Sequence, residues 1–227
     1  MALAIPDGLN TALIHDAAVA IIGATAAGQR VLTRFKALGI PALVVAPAAT
    51  LRLVRCDEAS DDNRRRVLEG YDAMPAGSFG VVQVVGDVGG AVLGDVVAHR
   101  LKQRGVYGVI IDGPARDVGG VLHHGPPVWS AVITIAGMAS RQIAAESGVA
   151  LVIDGAVVRP GDVIAADRDG AIVIAPDQLV PILAMATRLR DTEQALHERL
   201  ARGASLVDAL MGPDVHGNQS SPSSDRR

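Results

Sequence analysis

The spacing of apolar positions changes several times along the first third of the chain, and each spacing predicts an element. Apolar residues recur at helical intervals within residues 9–24, which predicts an amphipathic helix. The pattern also predicts a second, short helix over residues 29–38 that ends at Gly39. Three further elements follow: an apolar run over 42–46, a strand with one solvent-exposed face over 50–56, and a helix over 60–73 capped by Ser60.

The middle of the chain has the order strand, glycine-rich turn, helix and strand. Residues 81–85 are predicted to form a strand and are apolar except for Gln83, residues 86–90 are rich in glycine, and residues 92–104 have helical spacing. Residues 109–112 follow without polar alternation, which is typical of a strand buried on both faces. This order predicts a β-α-β unit with parallel strands and a right-handed crossover.

Beyond residue 127 the pattern changes to short apolar runs separated by glycine, proline and aspartate turns. The predicted strands cover residues 128–135, 149–153, 156–158, 163–166 and 171–174. A long final helix is predicted to begin at Pro176, and it becomes highly charged over 188–202. A helix of this kind often packs on a neighbouring subunit. We expect a single domain over 1–212 and a disordered tail over 213–227.

Composition narrows the classes of function. The chain has 227 residues, 49% of them apolar, and a formal charge of −3, which suits a compact domain with a sizeable core. Aromatic residues make up 2% and the pI is near 6.0, so nucleic-acid binding is not expected. Cys56 is the one cysteine, which excludes a disulfide within the chain. Residues 1–8 lack the pattern of a signal peptide. Since no apolar run is long enough to span a bilayer, we expect a cytoplasmic protein without a membrane partner.

Candidate chemistry is concentrated between residues 86 and 117. The glycine-rich loop leads into a helix whose first turn offers free backbone N–H groups to a small anion such as a carboxylate. Arg116 and Asp117 follow the next strand, and ligand sites in parallel sheets lie at the carboxyl ends of strands. A guanidinium, together with the carboxylates of Asp95 and Asp117, would suit a carboxylate ligand and a hard cation. Asp112, at the end of the buried strand, is a candidate for an acid that supports these groups.

Ordinary explanations compete with this interpretation. Arg-Asp pairs are common on protein surfaces, and a glycine-rich loop alone is weak evidence for a site. The loop over 86–90 also lacks the dinucleotide fingerprint and the P-loop lysine. His123 and His124 are adjacent in sequence, and adjacent residues rarely face one ion, so a loop or substrate-contact role is favoured over metal ligation.

The spacing of the acidic residues resembles a family signature. Asp95 is followed by 20 residues and then by Arg116-Asp117. Asp-x20-Arg-Asp marks the 4-hydroxy-4-methyl-2-oxoglutarate aldolase group of the superfamily named for the regulator of ribonuclease E activity A. Other motifs that resemble this RraA-like superfamily are Leu93-Gly94-Asp95, Gly108-Val109-Ile110-Ile111-Asp112-Gly113, Pro127-Val128-Trp129, Arg159-Pro160-Gly161-Asp162 and Asp167-Arg168-Asp169-Gly170. The similarity covers roughly residues 45–205, while the segment before 45 and the stretch 137–148 depart from the family pattern.

The resemblance implies a fold and an activity. The implied fold is a single-domain α/β/β/α swivelling-type sandwich with a long C-terminal helix, assembled as a homotrimer or homohexamer. The implied activity is that of a Mg²⁺- or Mn²⁺-dependent lyase, which cleaves or decarboxylates a small 2-oxo acid to pyruvate. Asp117 matches the carboxylate that holds the metal, partly through waters, Arg116 matches the residue that contacts the 2-oxo acid, and Asp95 matches an acid that orients a metal-bound water.

Further site residues are implied by the same resemblance. The backbone amides around Gly94, Asp95, Val96 and Val97 match the cradle for the substrate carboxylate. Glu193 resembles an acidic residue that reaches the metal waters from the adjacent subunit. Asn63 resembles an asparagine near the pocket, although its position fits the start of a helix equally well.

A second class of function stands beside the enzyme. Superfamily members that resemble the ribonuclease E inhibitor act by contacting a protein partner. The presence of Asp95 together with Arg116-Asp117 favours the enzyme, because a binding module has no physical need for a converging metal and oxyanion site. Methyltransferase activity is not expected, since no glycine loop of the S-adenosylmethionine type is found.

Overall fold

Seven helices and eleven strands form within residues 5–138 and 142–212, the part of the chain that the computed structural model describes. The helices are α1 (Thr11–Ile22), α2 (Ala24–Gly28), α3 (Asp61–Asp72), α4 (Asp95–Gln103), α5 (Val118–His124), α6 (Pro176–Ala201) and α7 (Leu206–Met211). The strands are β1 (Val31–Leu32), β2 (Lys36–Ala37), β3 (Val44–Arg55), β4 (Phe79–Val85), β5 (Gly108–Ala115), β6 (Val128–Ile133), β7 (Ile143–Ser147), β8 (Leu151–Ile153), β9 (Ala156–Val158), β10 (Val163–Ala166) and β11 (Ala171–Ile174). Three helices, α1, α3 and α7, start where the side chains of Asn10, Ser60 and Ser205 accept a backbone N–H from the first turn.

Nine of these strands form one mixed sheet. Its order is β1-β11-β10-β3-β4-β5-β6-β2, and β7 pairs with the second half of β3. The central strands β3, β4, β5 and β6 are parallel, and the predicted β-α-β unit is formed by β4, α4 and β5. The outer strands pair antiparallel, and β8 and β9 form a separate hairpin. This topology brings the carboxyl ends of the central strands to one edge of the sheet.

Each face of the parallel strands carries its own apolar core. On one face, buried residues of α3, α4 and α5 pack on β3, β4 and β5. On the other face, the hairpin β8–β9 and the strands β10 and β11 pack around Phe79, Ile110 and Trp129. Helix α1 lies against β10 and β11 from outside. The layers confirm the predicted α/β class and its α/β/β/α sandwich with a long C-terminal helix.

The prediction of a helix over residues 29–38 is wrong. Residues 31–32 pair with β11, and residues 36–37 pair with β6, both in antiparallel register. Between these strands, the N–H groups of Thr33 and Arg34 donate to the Asp154 carboxylate at 3.0 and 3.2 Å. Distant partners therefore satisfy the backbone of this segment, and such partners leave no periodic signal in so short a stretch.

Other local predictions also differ from the structure. The runs over 42–46 and 50–56 belong to the single strand β3. Pro47 does not interrupt this strand, because it is the last residue paired with β10 and the pairing with β4 begins at Ala48. The pattern did not predict α5, β7 or α7, which are short elements.

A buried carboxylate joins the start of the chain to its later strands. Asp167 accepts hydrogen bonds from the backbone N–H and the hydroxyl of Thr11 at 2.8 and 2.7 Å. The backbone carbonyl of Asp167 accepts from the Trp129 indole at 2.6 Å. Because all three partners are buried, each of these groups depends on the others for its hydrogen bonds.

The chain divides into two compact units, and the boundary falls within α6, after Thr187. In the second unit, the Arg199 guanidinium donates to the carbonyl of Ala209 in α7 at 3.2 Å. The predicted tail over 213–227 lies outside the described residues, and the single domain over 1–212 stays a prediction. None of the described helices is long and apolar enough to cross a bilayer.

An ion cluster lies at Asp112, within β5, beside the turn of the hairpin β8–β9. The Arg34 guanidinium donates to the carboxylate of Asp112 and lies 3.8 Å from that of Asp154. The Asp112 side chain is only 12% exposed. Burial raises the pKa of Asp112, and the charge of Arg34 only partly offsets this shift. The ionised form of Asp112 is therefore less favourable in the folded chain than in the unfolded one.

Replacing Asp112 with asparagine should give a stability difference that depends on pH. The folded pKa of Asp112 lies above its ordinary value of 3.8. The wild type therefore loses stability from this group as pH rises from the ordinary pKa to the folded one. Asparagine carries no titrating proton, so the variant should gain stability relative to the wild type over the same window. Urea unfolding of both proteins from about pH 4 to about pH 7 measures the difference. An equal difference at every pH would contradict the raised pKa.

Candidate functional site

The carboxyl ends of the parallel strands place the predicted residues at one edge of the sheet. Strand β4 ends at Val85 and β5 ends at Ala115, and the loops that follow them continue side by side. The N–H of Val92 donates to the carbonyl of Pro114 at 2.9 Å, and the N–H of Arg116 donates to the carbonyl of Leu93 at 3.0 Å. The loop before α4 and the turn after β5 are therefore adjacent, as the strand order predicted.

Buried side chains fix the loop that follows β4. Val88, Val92 and Leu93 are buried in the core under the helices. The Tyr71 hydroxyl of α3 donates to the carbonyl of Val92 at 3.1 Å. Burial raises the pKa of Tyr71, so this phenol remains a proton donor. The loop thus has little freedom to move away from β5.

Arg116 and Asp117 form an ion pair that remains open to solvent. Nε of Arg116 lies 3.1 Å from Oδ2 of Asp117, and the two side chains are 43% and 42% exposed. Asp117 adopts a left-handed backbone conformation, with φ 57° and ψ 43°, immediately before α5. Its carboxylate makes no capping hydrogen bond to α5. A strained conformation of this kind typically costs ~1–3 kcal/mol and is concentrated at functional sites.

Helix α4 begins beside this pair. Gly94 is its N-cap and Asp95 its first residue, so the amides of the first turn have no acceptor within the helix. One of the four predicted cradle amides is already used, because the N–H of Val96 donates to Oδ1 of Asp95 at 2.8 Å. The amides of Asp95 and Val97 therefore fit an anion better than that of Val96.

Two glycines, Gly94 and Gly120, leave room for the side chains of the predicted site residues. Gly120 was not predicted as a site residue from the sequence. A Cβ on Gly94 would lie 2.9 Å from Oδ2 of Asp117 and 3.5 Å from Nε of Arg116. A Cβ on Gly120 would lie 2.6 Å from Cβ of Asp95. Neither glycine has the positive φ that favours glycine, so each is required by its neighbour. The Gly119-Gly120 pair just after Arg116-Asp117 is the signal that would have identified the second.

The donor set suits a hard cation. Asp95 and Asp117 supply carboxylate oxygens, and Mg²⁺ typically takes one or two protein carboxylates and keeps several waters. Within the described ranges, no group of three His, Cys, Asp or Glu side chains has the arrangement of a metal site. An ion held here would therefore depend on water for most of its ligands.

The neighbouring histidines pack on one another between two helices. The rings of His99 in α4 and His124 in α5 are stacked, with centroids 5.2 Å apart. The ring of His123 meets that of His124 edge-on at 4.4 Å. These side chains contribute to the α4–α5 contact, and the segment predicted as a loop is the end of a helix.

Two further predicted residues, Asn63 and Glu193, are described by their local surroundings. The Asn63 side chain donates to the carbonyl of Glu58 at 2.9 Å, and its backbone N–H donates to the Ser60 hydroxyl at 3.0 Å. These contacts support its structural role at the start of α3, and its substrate role stays a prediction. Glu193 is exposed on α6 in the second unit, and its action from a neighbouring subunit also stays a prediction.

Asp112, the candidate for a supporting acid, has a different role. Its partner is Arg34, which also lies near Asp154, so Asp112 belongs to the separate ion cluster described above.

Comparison with known proteins gives several relatives. A protein of Halalkalibacterium halodurans named "Putative 4-hydroxy-4-methyl-2-oxoglutarate aldolase" is 29% identical over 173 residues, which are 76% of this chain and 79% of the relative. Protein DlpA of Legionella pneumophila is 29% identical over 138 residues, 61% of this chain, but the match spans only 22% of DlpA. The chain thus spans about a fifth of the length of that relative.

Several solved structures are similar to this chain in fold. An uncharacterized protein of Pseudomonas syringae has a TM-score of 0.76 at 24% identity over 91% of both chains, which shows the shared fold. RraAS2 of Streptomyces coelicolor, described as an unusual member of the RNase ES inhibitor RraA protein family, has a TM-score of 0.66 at 29% identity. That match covers 87% of this chain and 98% of RraAS2. Residues 11–173 match the model of the RraA-like family, described as Aldolase/RraA, and the chain therefore belongs to this family.

Proposed function

We propose that this protein is a divalent-metal-dependent lyase that releases pyruvate from a small 2-oxo acid, by retro-aldol cleavage or by decarboxylation. The observation that carries the proposal is the exposed pair of Arg116 and Asp117, 3.1 Å apart, beside the amino end of α4. Guanidinium, carboxylate and free amides are the groups that a metal-assisted reaction of a keto acid requires. Relatives named as aldolases of this class support the assignment.

Both proposed reactions form the same anion, the enolate of pyruvate. In retro-aldol cleavage of a 4-hydroxy-2-oxo acid, the bond between C3 and C4 breaks, the hydroxyl loses its proton, and the bonding electrons form the enolate of pyruvate. In decarboxylation of oxaloacetate, the bond to the departing carboxylate breaks, carbon dioxide leaves, and the same enolate remains. Protonation of its carbon then gives pyruvate. A site that stabilises negative charge on the 2-oxo oxygen accelerates both reactions.

Asp117, and water around it, would hold Mg²⁺ or Mn²⁺, which would supply Lewis acidity to the 2-oxo oxygen. The residues of the chain supply the rest. Arg116 places a permanent positive charge beside the oxygen on which charge develops. The amides of Asp95 and Val97 bind the substrate carboxylate at the amino end of α4. Asp95 stands at the start of the same helix, where its carboxylate orients the water that takes and returns the proton.

Metal dependence tests the proposal. We expect pyruvate release from oxaloacetate and from 4-hydroxy-4-methyl-2-oxoglutarate, followed with lactate dehydrogenase and NADH, to stop after treatment with EDTA and to return with Mg²⁺ or Mn²⁺. Since metal ions alone decarboxylate oxaloacetate slowly, a reaction with metal but without protein gives the background. Release that never exceeds this background with either substrate would refute the assignment.

A protein-binding regulator remains a second candidate because RraAS2 is described as a member of an RNase ES inhibitor family. Such a role would leave the Arg116-Asp117 pair without a purpose. Two assays distinguish the candidate functions: one measures pyruvate release by the protein, and the other measures its inhibition of a ribonuclease E-type enzyme. Inhibition without pyruvate release would favour the regulator.

A further inference from the structure

The segment after β6 is held on both sides at the candidate site. The N–H of Thr134 donates to the carbonyl of Ala115 at 3.0 Å, and the carbonyl of Ala136 accepts from the N–H of Ala91 at 2.9 Å. Gly137 forms a parallel bridge with Ala91. Residues 134–137 therefore connect the end of β5 with the loop before α4, and we call them the bridging segment.

The guanidinium of Arg116 lies directly against this segment. A Cβ on Gly137 would lie 2.5 Å from Nη1 of Arg116, 3.2 Å from Cζ and 3.7 Å from Nη2. Gly137 has no positive φ, so its backbone conformation is open to any residue. The Arg116 head group is what occupies the space that a side chain at 137 would need.

The bridging segment has no room to withdraw. A Cβ on Gly90 would overlap the carbonyl oxygen of Gly137 and would lie 3.0 Å from that of Ala136, so backbone packs on backbone behind the segment. On its other side, Nε of Arg116 lies 3.1 Å from Oδ2 of Asp117. The guanidinium therefore lies between a fixed backbone and a carboxylate.

We propose that Gly137 is a positioning residue, which fixes the direction of the Arg116 guanidinium beside Asp117. For its catalytic consequence the inference rests on the proposed function, because a two-pronged contact with a keto acid depends on the orientation of the guanidinium plane. A displacement of about 1 Å in such a group can reduce catalysis by about 100-fold.

Gly137→Ala tests this position directly. The clash involves the far end of a flexible side chain, so the guanidinium should move while the fold and its melting temperature stay nearly unchanged. Crystal structures of the wild type and the variant should show the head group displaced by about 1 Å or more, with a changed distance between Nε of Arg116 and Oδ2 of Asp117. Gly119→Ala is the matched control, because Gly119 lies close to Arg116 in sequence and a Cβ there would have no described residue outside its own stretch of helix within 4 Å. An unmoved Arg116 head group in the Gly137→Ala structure would overturn the inference whether or not the protein is an enzyme.

Binding gives a second readout. Oxalate resembles the enolate of pyruvate, and we expect its dissociation constant, titrated calorimetrically with Mg²⁺, to rise about 10-fold to 100-fold in Gly137→Ala and to stay unchanged in Gly119→Ala. In an Arg116→Ala background, Gly137→Ala should add no further loss. An equal loss with and without Arg116, or a double variant that fails to fold, would show that the methyl group disturbs the segment itself, and would overturn the inference. If the wild type neither binds oxalate nor releases pyruvate, the proposed function fails, and the crystal structures still decide the position of Arg116.

Discussion

Replacing Arg116 with alanine should reduce metal-dependent pyruvate release by about 1000-fold, because it removes a positive charge from the oxygen on which the enolate develops. The fold should survive. The Arg116 side chain is 43% exposed, and its ion-pair partner Asp117 is similarly exposed, so the substitution leaves no buried charge unpaired. The measurements are kcat/KM for pyruvate release and the melting temperature of each protein.

Arg100 provides the matched control for this substitution. It lies on α4 and pairs with Asp72 of α3, and both side chains are about half exposed. Arg100→Ala removes an exposed ion pair of the same kind from the same region, and such pairs contribute little to stability. Its kcat/KM should stay within about twofold of the wild type. A folded Arg116→Ala protein with the activity of the Arg100→Ala protein would rule out the assigned role.

Replacing Asp117 with asparagine should lower activity by at least about 100-fold and weaken its dependence on Mg²⁺, because the amide has no negative charge to hold the cation. Asparagine is the informative substitution here. Asp117 has φ 57°, and asparagine adopts this left-handed conformation more easily than other residues with a side chain. Alanine would add a backbone strain of about 1–2 kcal/mol and would mix a loss of stability with a loss of chemistry.

Asp154→Asn is the control for the backbone at Asp117. Among the described residues, Asp154 is the other non-glycine position with a positive φ, of 55°. Its oxygen accepts from backbone N–H groups in the linker before β2, and an amide oxygen can still accept them. Activity titrated against Mg²⁺ should be lost with Asp117→Asn and kept with Asp154→Asn. Normal Mg²⁺ dependence in a folded Asp117→Asn protein would remove Asp117 from the metal site.

The parts of this fold that follow from local pattern could be predicted from the sequence. The β-α-β unit has two short, mostly apolar runs on either side of a glycine-rich turn and a helical pattern, so its strands and its helix were predictable. The proximity of Arg116-Asp117 to Gly94-Asp95 followed from that topology, because both segments leave parallel strands at the same edge.

Features that depend on distant partners were not predictable in the same way. Residues 31–32 and 36–37 are strands because β11 and β6 lie beside them, and two residues carry no period. Gly120 and Gly137 are glycines because Asp95 and Arg116 fill their side-chain space, and this requirement is visible only once the fold is known. The role of Asp112 was misjudged for a similar reason, since its partner Arg34 lies 78 residues earlier.

The hydrogen bonds between Thr11 and Asp167 also bear on how the chain folds during synthesis. The two residues are 156 positions apart, so the helix α1 cannot reach its partner until residue 167 has left the ribosome. Until then Leu13 and Ile14, which are buried in the native state, have no sheet to cover them. The amino-terminal helix is thus a segment that chaperones can bind on the nascent chain, and its docking onto β10 and β11 is a late step of folding.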